Sequence, residues 1–146
     1  MKPRINFHYT IPYCPLTSFE FIPYTNTITV DESCYYYRVM PQLPKVINIL
    51  RSTPNSRQVV IVTHKQFEND ACLISIQFLI VKKKLIVIAN FRSECRINGR
   101  PNDERMLRYF ATIVCWGLNL QKFKIYVNVA QYHENLGELN NFGLLK

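Results

Sequence analysis

Glycine is scarce in this sequence, and long apolar runs are missing. Only 4 of the 146 residues are glycine, which excludes a glycine-rich phosphate loop, so arginines and main-chain donors would have to hold any phosphate. No apolar run approaches the roughly 18 residues that a membrane helix needs. The longest one, 71–81, is interrupted by Ser75 and Gln77. The polar, proline-containing stretch after Met1 does not have the pattern of a signal peptide.

Paired cysteines are also lacking. The five cysteines form no CxxC motif and are odd in number, so we expect no disulfide scaffold and favour a reducing compartment. The three histidines lie far from any cysteine pair in the sequence, and a metal site is therefore not expected.

Charged residues make up only 19% of the chain, whereas 48% are hydrophobic, which is typical of one globular domain. The net charge of +8 favours anionic partners, either nucleic acid or free nucleotides. The basic residues are spread along the sequence. Both a solvated basic surface and a functional one remain open at this point.

The two ends of the chain have the weaker patterns. Residues 1–18 are rich in proline and tyrosine without a clear period, and they predict an extended arm. Alternation over 19–30 predicts one or two strands, while 33–40 is ambiguous. The polar residues 136–146 predict a loose tail.

The middle of the chain predicts regular elements. A helix is expected over 41–50, and a second one over 103–118 has a clear apolar face, with Asn102 or Asp103 as its cap. Strands are predicted over 58–63, 72–81, 85–91 and 124–129, with the three lysines 82–84 at a hairpin tip. This order predicts a single α+β domain over 1–146, with a mixed or antiparallel sheet and two helices packed on one face.

Five short motifs follow one another in the sequence. They are Pro54-Asn55-Ser56-Arg57 after a helix, Cys72-x-x-x-x-Gln77-Phe78 on a strand, Arg92-Ser93 at the end of the next strand, Gly99-x-Pro101-x-Asp103, and Val129-Ala130-Gln131-Tyr132. Together they resemble the thymidylate synthase and dCMP hydroxymethylase superfamily over about residues 35–135, and look most like a truncated archaeal-like or viral member. The resemblance implies a thymidylate synthase-like fold for this core.

The resemblance implies that Cys72 is the nucleophile that adds to C6 of a pyrimidine. Such a thiol must ionise near neutral pH, so a cationic neighbour is expected, and Arg92 is the candidate. The alternative is that Cys72 is a small buried apolar residue on a strand, as most free cysteines are.

The phosphate of the nucleotide is expected at Arg57, Arg92 and Ser93, because a dianion suits guanidinium forks and a hydroxyl donor. In the family, the arginine that Arg57 matches reaches into the site of the neighbouring subunit. Gln58 stands where the family has a second arginine. Alternatively, Arg57 is a turn residue in solvent.

Three further residues match positions that contact the base and the sugar. Asp103 stands where the family has a pyrimidine-reading asparagine, and in this respect the sequence resembles dCMP hydroxymethylases. A carboxyl group at this position would accept a hydrogen bond from the amine of cytosine. Tyr132 would hold the deoxyribose hydroxyl without its usual histidine partner, since Ala130 is found there. Gln77 is a secondary candidate, because a mid-strand amide must find hydrogen-bond partners.

The resemblance implies a protein that binds a pyrimidine deoxynucleoside monophosphate as a homodimer. It implies a C5 methyl- or hydroxymethyltransferase that acts on dUMP or dCMP with methylenetetrahydrofolate as cofactor. The alternative is a catalytically inactive descendant that binds a nucleotide or a protein. The absent general-base glutamate favours this alternative, as does Cys95 at the place of the pterin-binding aspartate. Binding of nucleic acid is less favoured, and no membrane partner is expected. We expect a cytoplasmic protein. The resemblance also allows a viral origin of the gene.

Overall fold

A computed structural model describes residues 3–18, 30–63, 72–97 and 99–134 of the chain, and residues 30–34 by their backbone alone. The elements in these ranges are β1 (Arg4–Ile11), α1 (Val30–Val39), a 3-10 turn (Met40–Gln42), α2 (Leu43–Ser52), β2 (Val60–Val62), β3 (Leu73–Val81), β4 (Lys84–Cys95), α3 (Arg100–Gly117) and β5 (Phe123–His133).

The five strands form one sheet in the order β1-β5-β4-β3-β2. Strands β4 and β5 are parallel and are connected through α3, whereas the other neighbours are antiparallel. The predicted α+β class, with a mixed sheet and helices on one face, is confirmed. None of the described helices is long and apolar enough to cross a membrane.

The core lies between the sheet and the helices. Alternate side chains of β4 and β5 are buried, because successive residues of a strand point to opposite faces. Helix α3 covers them with an apolar stripe, as its 3.6-residue period predicts. The buried residues of these three elements include Leu85, Val87, Ala89, Phe91, Leu107, Phe110, Ala111, Val114, Phe123, Ile125, Val127 and Val129.

Part of the predicted N-terminal arm is an edge strand. In β1, Phe7, Tyr9 and Ile11 alternate towards the core, with Ile11 4% exposed. Asn6 has a φ of 55°, which breaks the alternation and leaves Ile5 68% exposed. The strands predicted over 19–30 lie outside the described residues except for the last position, which begins α1.

The hairpin between β3 and β4 turns at two lysines. Val81 pairs with Lys84, so Lys82 and Lys83 are the turn residues, with φ values of 49° and 61°. Positive φ at both positions defines a type I′ turn, in which Asn-Gly is strongly preferred. A side chain in this conformation costs roughly 1–2 kcal/mol per residue. The lysines at this tip are therefore held in a strained conformation.

Helix α3 begins three residues earlier than predicted, at Arg100. Its N-cap is Gly99, which makes no side-chain cap bond, so the expectation that Asn102 or Asp103 caps the helix is wrong. Pro101 explains the early start, because proline suits the first turn of a helix. The Asp103 carboxyl group binds Glu94 instead.

Candidate functional site

Cys72, just before β3, and Arg92, on the adjacent strand β4, are direct neighbours. The backbone N–H of Arg92 donates to the carbonyl oxygen of Cys72 at 2.8 Å. Cys72 is half-buried at the edge of the core, while Arg92 is exposed. The structure thus brings the predicted nucleophile next to the predicted cationic residue.

Helix α1 supports the start of β3, where Cys72 lies. The Tyr35 hydroxyl accepts hydrogen bonds from the backbone N–H groups of Cys72 and Leu73, both at 2.7 Å. Tyr35 is 2% exposed, so this hydroxyl replaces water as the acceptor for two strand donors. The sequence pattern of this segment is ambiguous and does not reveal the contact.

Ser93 follows Arg92 and approaches a buried histidine. Its Oγ lies 3.2 Å from Nε2 of His133, which is 5% exposed. His133 therefore orients a hydroxyl group that the sequence assigned to phosphate binding. Sequence reasoning missed His133, although it comes directly after the candidate Tyr132.

Arg57 is held at a distance from Cys72 within one chain. The side-chain amide of Gln77, which was expected to need a hydrogen-bond partner, donates to the backbone carbonyl oxygen of Arg57 at 3.0 Å. Gln77 lies five residues along the strand from Cys72, which corresponds to roughly 17 Å. The side chain of exposed Arg57 therefore does not share the Cys72 end of the sheet.

Tyr132 is buried beneath the first turn of α3. It is 2% exposed, its ring stacks on Phe7 with centroids 4.1 Å apart, and its hydroxyl accepts from Arg100 at 3.2 Å. Arg100 also donates to Glu104 at 2.7 Å. In this structure Tyr132 positions the start of α3.

A carboxyl pair, buried Glu94 and half-buried Asp103, lies beside this contact. Glu94 is 3% exposed, and the Tyr9 hydroxyl donates to its two oxygens at 2.7 and 2.8 Å. Burial raises the pKa of Glu94, and the hydrogen bonds with Asp103 and Tyr9 oppose that shift. Burial and the neighbouring Glu94 also raise the pKa of Tyr9, which stays a neutral donor. No pattern in the sequence points to Glu94 or Tyr9.

Cys95, at the position expected to bind a pterin, is buried and makes a hydrogen bond within the chain. Cys95 is 8% exposed, and its Sγ donates to the carbonyl oxygen of Glu134 at 3.5 Å. A thiol in this position does not offer the paired acceptors of a carboxylate. Among the residues that the structure describes, no group of histidine, cysteine and acidic side chains is placed to hold a metal ion.

A hydrogen-bonded row crosses the sheet face opposite the helices. Ser75 Oγ accepts from Asn90 Nδ2 at 3.2 Å, Asn90 Oδ1 accepts from Asn128 Nδ2 at 3.0 Å, and His8 Nδ1 lies 2.8 Å from Asn128 Oδ1. These four side chains, which we call the outer row, stand in register on β3, β4, β5 and β1. The row links four strands on a face that no described helix covers.

The fold is similar to that of a solved enzyme. The chain matches thymidylate synthase from T4 phage with a TM-score of 0.61 and 19% sequence identity. The match covers 69% of this chain and 37% of the phage enzyme, so the chain spans little more than a third of that protein's length. This similarity establishes a thymidylate synthase-like fold. No protein-family model and no curated protein matches the sequence.

Proposed function

We propose that this protein binds a pyrimidine deoxynucleoside monophosphate at the end of the sheet where Cys72, Arg92 and Ser93 lie. The backbone hydrogen bond from Arg92 to Cys72 carries the proposal, because it puts a guanidinium-bearing residue of β4 beside the thiol-bearing residue that precedes β3. Ser93, the next residue of β4, would contribute its hydroxyl group, which lies 3.2 Å from Nε2 of His133. A guanidinium and a hydroxyl together suit the oxygens of a phosphate.

The base of the nucleotide would be read at Asp103. Two carboxyl groups that share a desolvated position tend to keep one proton between them. The Asp103 carboxyl group is hydrogen-bonded to Glu94, whose pKa is raised by burial. A carboxyl oxygen of Asp103 would accept from the exocyclic amine of cytosine, which favours dCMP over dUMP.

Arg57 would enter the site from a second copy of the chain. Its backbone lies beside Gln77, too far along the sheet to serve Cys72 in the same copy. The uncovered face carries the outer row together with Val60 and Val62, which are 48% and 62% exposed. Pairing of two such faces would bury these side chains and supports a homodimer.

Titration calorimetry with dCMP and dUMP tests the proposal. Wild-type protein should bind at least one of them, Arg92→Ala should weaken binding by at least about tenfold through loss of a charge-assisted bond, and Cys72→Ala should retain it. Lys45→Ala, a change of an exposed lysine on α2, is the control. Absence of binding to both nucleotides, or equal affinity of Arg92→Ala and wild type, would refute the proposal.

The second candidate function is folate-dependent methyl or hydroxymethyl transfer to C5 of the nucleotide. The half-buried thiol of Cys72 beside Arg92 favours it, because a thiolate needs a cationic neighbour. The residues at the pterin position do not fit a folate, since Cys95 is buried and bonded to a carbonyl group. Binding without turnover is therefore the function that the site supports best.

Release of tritium from C5-labelled dCMP or dUMP distinguishes the two functions. Release that requires methylenetetrahydrofolate and is lost in Cys72→Ala would establish the transferase. Nucleotide binding without release from either labelled compound would establish the binding protein.

A further inference from the structure

Folding gathers lysines that are separate in the sequence at one end of the sheet. Lys82, Lys83 and Lys84 form the tip between β3 and β4. Lys122 joins them, because its carbonyl oxygen accepts from the N–H of Leu85 at 3.0 Å. We call these four lysines the lysine end. Lys82, Lys83 and Lys122 are exposed and Lys84 is half-buried.

The carboxylates are at the opposite end of the molecule. Strands β4 and β5 both run away from the lysine end, and Glu94 and Glu134 follow at their far ends. Asp103 and Glu104 lie in the first turns of α3, which runs back towards the lysine end. Every acidic residue whose side chain the structure describes is thus remote from the lysine end, and nothing described there offsets its positive charge.

An exposed aromatic ring belongs to the same end. Trp116 is in the last turn of α3 and is 49% exposed. The turn that follows is closed by hydrogen bonds from Asn119 to Trp116 at 3.0 Å and from Leu120 to Cys115 at 2.9 Å, and it leads directly to Lys122. A flat, exposed ring at the same end of a molecule as several lysines suits single-stranded nucleic acid, because unpaired bases stack on the ring while lysines contact the phosphates.

The backbone at the tip gives an independent reason to regard these lysines as functional. Lys82 and Lys83 occupy left-handed positions that favour asparagine and glycine. Residues kept in a sparsely populated conformation point to a role for their side chains. Here the side chains supply two adjacent positive charges at the most projecting point of a hairpin.

We propose that the lysine end, together with Trp116, is a docking surface for single-stranded nucleic acid. This surface is separate from the Cys72 end, and its function does not depend on nucleotide binding there. Phosphates along the strand contact the four lysines, and a base stacks on the indole ring. Positive charge, an exposed aromatic ring and remote carboxylates favour this polyanion over an acidic protein, which offers no exposed bases.

The test is fluorescence anisotropy with labelled 20-residue oligo-dT and oligo-U at several salt concentrations. Binding should weaken as salt rises, with a slope of about 0.7 per contacted phosphate. Because Trp116 is the single tryptophan of the chain, its own fluorescence should be quenched by unlabelled oligonucleotide. The preferred oligonucleotide distinguishes DNA from RNA as the ligand.

The decisive variant is Lys82→Asn/Lys83→Gly, which removes two charges and also gives the turn its preferred residues. We expect about tenfold weaker binding at 0.1 M salt, with a salt slope reduced by about 1.4. Misfolding cannot explain such a loss, since this variant should be at least as stable as wild type. Arg4→Gln/Lys45→Gln, which lowers the net charge equally from +8 to +6 away from the lysine end, is the control and should bind nearly as wild type does.

Three results would overturn the proposal. The first is absent or salt-insensitive binding to both oligonucleotides. The second is equal weakening by the control and the decisive variant, which would mean that only net charge matters. The third is binding to vesicles that contain phosphatidylserine without binding to either oligonucleotide, which would assign the surface to a membrane.

Discussion

The Tyr9 hydroxyl donates to both carboxylate oxygens of Glu94, although the two residues lie 85 positions apart. Tyr9 is on β1 and Glu94 on β4, and β5 lies between them in the sheet. The contact therefore connects the edge strand to the centre of the sheet across an intervening strand. It also places a neutral donor beside the carboxyl group that pairs with Asp103.

The stability of the protein should depend on pH through Glu94. Burial raises its pKa above the ordinary value of 4.5, so the folded protein holds a proton at this carboxyl pair more tightly than the unfolded chain does. The resulting stabilisation is complete below that value and is lost as pH rises through the folded pKa. Every tenfold difference in proton affinity between the folded and unfolded states corresponds to about 1.4 kcal/mol of unfolding free energy. Glu94→Gln, which resembles the protonated form, should remove this dependence.

Urea unfolding of wild type and Glu94→Gln at pH 5 and pH 8 measures this effect. The unfolding free energy of wild type should fall relative to that of Glu94→Gln when the pH is raised from 5 to 8. A difference that is the same at both values would contradict the assignment to Glu94.

Replacing Tyr9 by phenylalanine should destabilise the fold by about 1.5–3 kcal/mol, because a hydrogen bond to a buried carboxyl group is lost. The effect should be smaller in the Glu94→Gln background, and a double-mutant cycle would give the coupling. Tyr13→Phe, at a position that is 37% exposed, is the matched control and should change stability by less than about 0.5 kcal/mol. Additive effects of the two changes would argue against the contact.

Loss of the Tyr35 hydroxyl should loosen the start of β3. Tyr35→Phe leaves the N–H groups of Cys72 and Leu73 without this acceptor, which should cost about 1–3 kcal/mol. Hydrogen exchange at these two amides should accelerate more than at Phe78 in the middle of the strand. Tyr37→Phe on the same helix, at a residue that is 71% exposed, should leave exchange unchanged. Unaltered protection in Tyr35→Phe would show that the hydroxyl does not hold the strand.

The hairpin tip should be stabilised by residues that accept a positive φ. Lys82→Asn/Lys83→Gly relieves strain at both positions and should raise the unfolding free energy by about 1 kcal/mol. Thermal unfolding of the variant measures this gain, and Lys84→Asn, next to the turn, is a control that should produce none. A lower melting temperature for the double variant would rule out strain at the tip.

The described cysteines should differ sharply in reactivity. Burial raises the pKa of Cys115 to about 11, and its Sγ donates to the carbonyl oxygen of Leu120 at 3.2 Å. Cys14 is exposed, with its Sγ 2.9 Å from a guanidinium nitrogen of Arg108. Iodoacetamide at pH 8 followed by peptide mass spectrometry should find Cys14 labelled under native conditions, and Cys115 only in urea. Early labelling of Cys115 under native conditions would contradict its buried position.

Much of the sheet and helices α2 and α3 could be predicted, because their apolar residues recur with the period of a strand or a helix. Strand β1 was missed although Ile5, Phe7, Tyr9 and Ile11 alternate in the sequence, and this alternation misleads only at Ile5, which is exposed next to the positive φ of Asn6. Helix α1 has no clear local signal because a run of tyrosines has no helical preference. Burial of Tyr35 and Val39 one turn apart decides its conformation, and such tertiary packing is not local information.

The candidate site was predictable only where a motif marks it. Short motifs pointed to Cys72, Arg92 and Ser93, and the register of β3 and β4 brings the first two together. Glu94 carried no signal, because a buried acid is unusual and its partner Tyr9 comes from the far edge of the sheet. Long-range pairs of this kind depend on strand order, which spacing in the sequence does not reveal.

Strand β1 pairs only with β5, the last strand of the described chain, and this has a consequence for synthesis on the ribosome. Strand β1 emerges before β5, yet the edge that β1 occupies does not exist until Phe123–His133 has left the exit tunnel. The apolar side chains of Tyr9 and its neighbours therefore stay uncovered until β5 has been synthesised. Contacts between residues so far apart in sequence form slowly. Chaperones can bind β1 during this interval, and the pairing of β1 with β5 ends it.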